Sequence, residues 1–170
     1  MSSNPDYYAD DFLRAILTEV KTIALVGLSA DPARPSHYVF EFLQRRGYKM
    51  VGVNPGLAGK ELLGTLVYGR LADIPFPVDM IDIFRNSAAA GGVVDEALAL
   101  APKPKVIWMQ LDVRHDDAAQ KAEAQNLKVV MNRCPKIEYS RLLKDLLVKD
   151  LPVKDSPVKD LPVKDLPGRR

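Results

Sequence analysis

Thr22-Ile-Ala-Leu-Val26-Gly27 is an uncharged, β-prone run closed by a glycine. Without polar alternation it reads as a strand buried on both faces, the kind found in parallel sheets covered by helices. The loop Leu28-Ser-Ala-Asp-Pro-Ala-Arg-Pro-Ser36 follows, then a helix over 36–46 with Ser36 as N-cap, Val39, Phe40 and Leu43 inward and Gly47 as its stop. Upstream, Phe12, Leu13, Ile16, Leu17 and Val20 recur at the spacing of an amphipathic helix over 8–20, expected to lie on the domain as an N-terminal lid.

Downstream the same alternation repeats. Strands are expected at 48–53, 79–84, 106–111 and 127–131, with a shorter β-like piece at 66–68. Helices are expected at 88–101, capped by Ser87 with Val93, Val94, Ala97 and Leu98 inward, and at 116–125. Strand and helix alternating at this spacing specify an α/β domain: a Rossmann-like, doubly wound, parallel five-stranded sheet with helices on both faces, spanning 1–142. From 148 onward the motif Val148-Lys-Asp-Leu-Pro152 recurs, once with serine in place of leucine, up to Pro167. A proline every fifth residue prevents a continuous helix, so 143–170 reads as a disordered repeat tail and a possible surface for a protein partner.

Composition narrows the function. The chain has 170 residues, 47% apolar and 27% charged, with a net charge of +2 that Arg169 and Arg170 account for. There is room for one core, and no basic stripe interleaved with aromatics that would suit nucleic acid. No apolar run is long enough to cross a membrane, the first residues lack a secretory pattern, and the single Cys134 excludes an intrachain disulfide, so a cytoplasmic protein is expected.

In a doubly wound sheet the ligand lies outside the carboxyl ends of the strands, where strand order reverses. The segments to inspect are therefore 27–36, 53–56, 84–87, 108–112 and 132–136. The first combines a glycine, small residues, Arg34 and a helix start, a combination suited to phosphate. It keeps only the first glycine of the dinucleotide fingerprint, and Asn54-Pro55 stands where an acid would hold the ribose of NAD. Both departures weigh against a dehydrogenase and neither weighs against a nucleotide.

Ile23-Ala-Leu-Val-Gly-Leu-Ser29, Val53-Asn-Pro55, Val78-Asp-Met-Ile-Asp-Ile-Phe-Arg85, Trp108-Met-Gln110 and Val130-Met-Asn-Arg-Cys-Pro-Lys136 occur in one order. Together they resemble the stand-alone CoA-binding domain proteins, which are similar to the N-terminal domain of the succinyl-CoA synthetase alpha subunit. The resemblance covers about 12–142 and implies coenzyme A as cofactor. It places the CoA phosphates at Gly27, Leu28, Ser29, Arg34, Pro35 and Ser36, and the adenosine beside Val53, Asn54 and Pro55. Phe84 and Arg85 would line the cofactor, and Trp108, Met109 and Gln110 would meet the pantetheine arm. The synthetase's second domain with its phosphorylated histidine has no counterpart after Leu142, so ligase chemistry within this chain is not expected.

The remaining chemistry-bearing residues have plainer readings. His37 and His115 lack ligand spacing and read as surface residues, with no metal site expected. Asp79 and Asp82, flanking the third principal strand, read as local caps or local hydrogen-bonding groups, and Asp112, Asp116 and Asp117 as helix N-terminal acids. Cys134 reads as a small buried residue in a turn set by Pro135, with a redox role beside Arg133 and Lys136 as the alternative. Three functions follow in order: a non-catalytic or regulatory binder of CoA or acyl-CoA, an NAD(P)-dependent oxidoreductase, and an interaction scaffold with a vestigial nucleotide pocket.

Overall fold

The computed structural model describes residues 7–144. The repeat at 148–167 lies outside them. Five helices, α1 (Asp10–Glu19), α2 (Pro35–Arg45), α3 (Ser87–Leu98), α4 (Asp116–Glu123) and α5 (Pro135–Leu142), accompany seven strands. These are β1 (Thr22–Val26), β2 (Lys49–Val53), β3 (Glu61–Leu62), β4 (Thr65–Tyr68), β5 (Met80–Ile83), β6 (Val106–Met109) and β7 (Lys128–Val130).

They form one sheet in the order β3-β4-β2-β1-β5-β6-β7, parallel throughout except for the antiparallel β3–β4 hairpin. The expected five parallel strands are β1, β2, β5, β6 and β7. The sheet of seven corrects that count, because the chain after β2 pairs β4 alongside it and folds β3 back on the edge.

Alternation along the strands divides the core in two. Ile23, Leu25, Met80, Trp108 and Val130 face one layer, where α1, α2 and α5 contribute Leu17, Phe40 and Tyr139. Ala24, Val26, Ile81, Ile107 and Val129 face the other, where α3 and α4 contribute Val94 and Ala122. Helix α1 buries Leu13, Ile16 and Leu17 and is therefore part of one layer rather than a lid.

Helix starts differ from expectation in an informative way. Arg34, not Ser36, is the N-cap residue of α2, because Pro35 fits the first helical position with its fixed φ and missing N–H. Asn86, not Ser87, caps α3, accepting from the Ala89 N–H at 2.8 Å. His115 is no plain surface residue either: its Nδ1 caps α4 by accepting from the Ala118 N–H at 3.0 Å. Asp112 lies in a left-handed turn with φ 67°, outside any helix.

One cross-strand row on the α2 face reads Gly52, Leu25, Asp82, Trp108, Val130. At Gly52 the absent side chain makes room for Leu28, whose Cδ2 would stand 2.3 Å from an added Cβ. Asp82 does not act as the expected cap. It is fully buried, and neither carboxylate oxygen has a hydrogen-bond partner. Burial pushes its carboxyl well above the usual carboxylate range, since an ionised carboxylate here would lose its hydration without compensation.

A raised pKa in the folded state means that folding favours the protonated acid. The associated stability is intact below the unfolded pKa of about 4 and is lost as pH rises toward the folded value. Asp82→Asn has no charge to suppress. Its stability relative to wild type, measured by chemical denaturation between pH 4 and 7, is expected to grow with pH by at most about 1.4 kcal/mol per unit. A difference that stays flat over that interval would rule out a neutral buried acid.

Candidate functional site

The strand order reverses beside β1: β2 and β4 lie to one side, β5, β6 and β7 to the other. The crevice between the ends of β1 and β5 is therefore the place where an open parallel sheet takes a ligand. Gly27 ends β1 there with φ +101°, and a Cβ on it would come 2.8 Å from the Phe84 carbonyl oxygen. Only glycine serves both that backbone region and that approach. A larger residue at 27 would disturb Phe84 before it met any ligand.

The loop after β1 is held by its own side chains. Ser36 Oγ accepts from the Ser29 N–H at 2.9 Å, Ser29 Oγ from the Asp31 N–H at 3.0 Å, and Asp31 Oδ1 from the Ala33 N–H at 2.9 Å. The Gly27 N–H donates to the Val53 carbonyl at 2.9 Å and the Arg34 N–H to the Asp31 carbonyl at 3.0 Å. Most of the N–H groups expected to cradle a phosphate are thus already engaged. His37, which its sequence context placed at the surface, is buried with Nδ1 2.9 Å from the Ser29 carbonyl, a contact that a protonated Nδ1 makes as donor.

Asn54 binds the neighbouring loop to this one. Its Nδ2 donates to the Leu28 carbonyl at 2.7 Å and its Oδ1 accepts from the Gly56 N–H at 2.8 Å. The third wall is tied in the same way, with the Phe84 N–H donating to the Val26 carbonyl at 2.8 Å and the Gln110 N–H to the Ile83 carbonyl at 3.1 Å.

Two cavities open on this edge and meet at Phe84. One, about 440 Å³, is lined by Gly27, Val53, Asn54, Pro55, Gly56 and Arg85. The other, about 430 Å³, is lined by Pro35, Tyr38, Gln110, Cys134 and Lys136 among others. A cavity of about 410 Å³ also lies between Leu71 and Pro102 at the opposite end of the sheet, so volume does not single out the site. Polar groups and topology do. Arg34 and Arg85 are exposed, and neither guanidinium has a hydrogen bond or ion pair among the described residues.

Of the expected site residues, Gly27, Val53, Asn54, Pro55, Phe84 and Arg85 come together around the first cavity, and Pro35, Phe84 and Gln110 around the second. Ser29, Arg34 and Ser36 occupy the loop leading into α2. Leu28, Trp108 and Met109 are different: their side chains are fully buried in the core. The Trp108 indole N–H donates to the Arg133 carbonyl at 2.9 Å, which fixes the loop after β7 and leaves no face of the ring for a ligand arm. Gln110 is 6% exposed, and its Oε1 has no hydrogen-bond partner.

Tyr38 and Ile137 line the second cavity and were missed from sequence, while Leu111, also in its wall, lies in the inspected segment 108–112 without having been picked out there. Tyr38 falls off the inward stripe of α2, which is a usable signal; Ile137 belongs to α5, a helix not foreseen. Cys134 is a free thiol, 5% exposed, in the wall of this cavity at the residue preceding α5. Among the described residues no group of three or more His, Cys, Asp or Glu side chains is arranged to hold a metal ion, and no helix is long and apolar enough to cross a membrane.

The fold and this edge define an α/β domain with a ligand cleft at the carboxyl ends of a mostly parallel sheet. The chain belongs to the CoA binding domain family, whose model matches residues 21–140. It is 35% identical over 129 residues to the uncharacterized protein YneT of Bacillus subtilis, covering 75% of this chain and 92% of that protein. A solved structure from Thermus thermophilus, cell-free ID.343, is 38% identical with a TM-score of 0.75, covering 79% of this chain and 99% of that one. A hypothetical protein from Pyrococcus horikoshii OT3 is 35% identical with a TM-score of 0.76, covering 84% and 99%.

The double hydrogen bond of Asn54 implies that this one side chain ties the loop after β2 to the loop after β1. Asn54→Ala should lower unfolding free energy by about 1 kcal/mol, since it removes a part-buried bond to the Leu28 carbonyl and an exposed one from the Gly56 N–H, which water can replace. Urea denaturation of variant and wild type measures this, and an unchanged midpoint would show that the loops hold without it.

Proposed function

We propose that this chain binds coenzyme A in a Rossmann-like cleft, as a carrier or regulatory module similar to the CoA-binding domain of succinyl-CoA synthetase. The observation that carries the reading is the pair of cavities meeting at Phe84: one bordered by Asn54, Pro55 and the exposed Arg85, the other with Tyr38, Leu111 and Ile137 exposed in its wall. A charged nucleotide head joined to a long, mostly apolar arm has that division. The phosphates lie against Arg34 and Arg85 and the hydroxyls of Ser29 and Ser36, with the adenosine beside Asn54 and Pro55. The arm crosses Phe84 to Gln110, whose unpartnered Oε1 accepts from an amide N–H of the pantetheine. Trp108 and Met109 serve from the core and not as contacts.

The oxidoreductase reading is weakened further by Asn54. Its amide is held in place by the protein at both ends, and no carboxylate stands at the end of β2 for a ribose diol.

Arg34→Ala and Arg85→Ala should each weaken CoA binding about tenfold, the lower end for a charge-assisted bond because both guanidiniums are exposed. Raising salt should reduce wild-type affinity more than that of the variants. Calorimetric titration with CoA, dephospho-CoA and NAD checks this. NAD binding as tight as CoA, or no CoA binding by folded wild type, overturns the proposal.

A further inference from the structure

Tyr38, Leu111 and Ile137 are 42%, 46% and 50% exposed. They are three of the five large hydrophobic side chains found exposed among the described residues, and all three line the second cavity. They come from separate elements, α2, the turn after β6 and α5, so their meeting is not the by-product of one helical stripe. The core does not require them: α2 buries Val39, Phe40 and Leu43 instead, and α5 buries Tyr139. An isolated exposed leucine needs no explanation, whereas apolar groups converging on one cavity mark a surface meant to be covered.

We propose that the ligand of this site is an acyl-CoA with an unbranched apolar acyl chain, which lies on the rim formed by Tyr38, Leu111 and Ile137. This rests on the CoA reading above. The pantetheine arm enters at Phe84 and ends against this rim, so a group attached to its sulfur continues directly onto the three side chains. A free thiol gains nothing from such a surface; a hydrocarbon chain is removed from water by it. The Lys136 ammonium stands 5.2 Å from the Tyr38 ring centroid and steadies that wall by a cation–π contact.

A methylene fully removed from water is worth about fourfold in affinity, and one half-covered on an open rim about twofold. Titration of the full chain with CoA and with acetyl-, butyryl-, hexanoyl- and octanoyl-CoA should therefore show affinity rising about fifteenfold over the four methylenes from butyryl to octanoyl. In the double variant Leu111→Ser, Ile137→Ser the ratio of octanoyl to butyryl affinity should fall toward one. Folding of that variant is checked by its thermal transition, and the single variant Leu111→Ser, in a turn outside the helices, gives the same reading in part if the double variant is unstable. CoA binding with affinity flat or falling along the series overturns the acyl assignment and leaves the CoA reading standing. Absence of binding by CoA and every thioester overturns both. A rise with chain length that persists unchanged in the double variant places the chain elsewhere and also overturns it. Sedimentation showing a ligand-free dimer that Ile137→Ser dissociates would assign the rim to a second copy of this chain and do the same.

Discussion

The close approach of Gly27 to the Phe84 carbonyl is the constraint on which the rest of this edge depends. β1 is the central strand of the seven-stranded sheet, and its end is fastened on both sides: Gly27 donates to the Val53 carbonyl, and the Val26 carbonyl accepts from Phe84. With φ +101° the chain leaves the sheet at once, and the missing Cβ lets β5 end beside it. The two cavities share Phe84 as a wall because these strand ends cannot spread apart. A side chain at 27 would separate the halves of the cleft, whatever it did to a ligand.

The hydrogen bonding of the loop sets how such a cleft can recognise an anion. A phosphate site made of bare backbone N–H groups keeps them unpaired until the ligand arrives. Here Ser36, Ser29 and Asp31 side chains already accept from three of those groups, and His37 secures the Ser29 carbonyl. The loop is ordered in advance, so binding need not bear the entropy of ordering it. The cost is fewer free donors, and on the proposed reading charge-assisted contacts from Arg34 and Arg85 are what remain to supply affinity at the head of the ligand.

What could be read from sequence follows from how much each element depends on its neighbours. β1 was legible to the residue, because a strand buried on both faces allows almost no polar position and Gly27 closes it. The edge hairpin was half seen: β4 has only Val67 buried, and β3 is two residues long, so neither carries a pattern of its own. Helix α5 was invisible for a related reason. Its eight residues start after a cysteine with no side-chain cap, and Pro135 reads equally well as a turn. Missing α5 meant missing Ile137 and with it one wall of the second cavity. Trp108 failed differently, since "just after the strand" depends on where the strand stops. β6 runs to Met109, so Trp108 lies inside the sheet and only Gln110 reaches the cleft. Asp82 misled because an acid in a strand invites a capping role, whereas the row it occupies is closed off by Leu25 and Trp108.

The two halves of the cleft answer to different physics, and this bears on which ligands they select. Exposed guanidiniums act through charge, and at physiological ionic strength that influence decays over about 8 Å. Such contacts recognise any polyphosphate head and separate one nucleotide cofactor from another poorly. The apolar half acts through area removed from water, which salt does not screen. It discriminates by what lies beyond the phosphates, where NAD carries a polar ribose and CoA a long amide arm. An unpaired acceptor on Gln110 sharpens the difference, because it is already buried without a partner, and a ligand that brings an N–H to it relieves that cost where one without an N–H does not. On the proposed reading, attraction is general at Arg34 and Arg85, and selection occurs past Phe84, where the ligand meets the exposed apolar side chains Tyr38, Leu111 and Ile137.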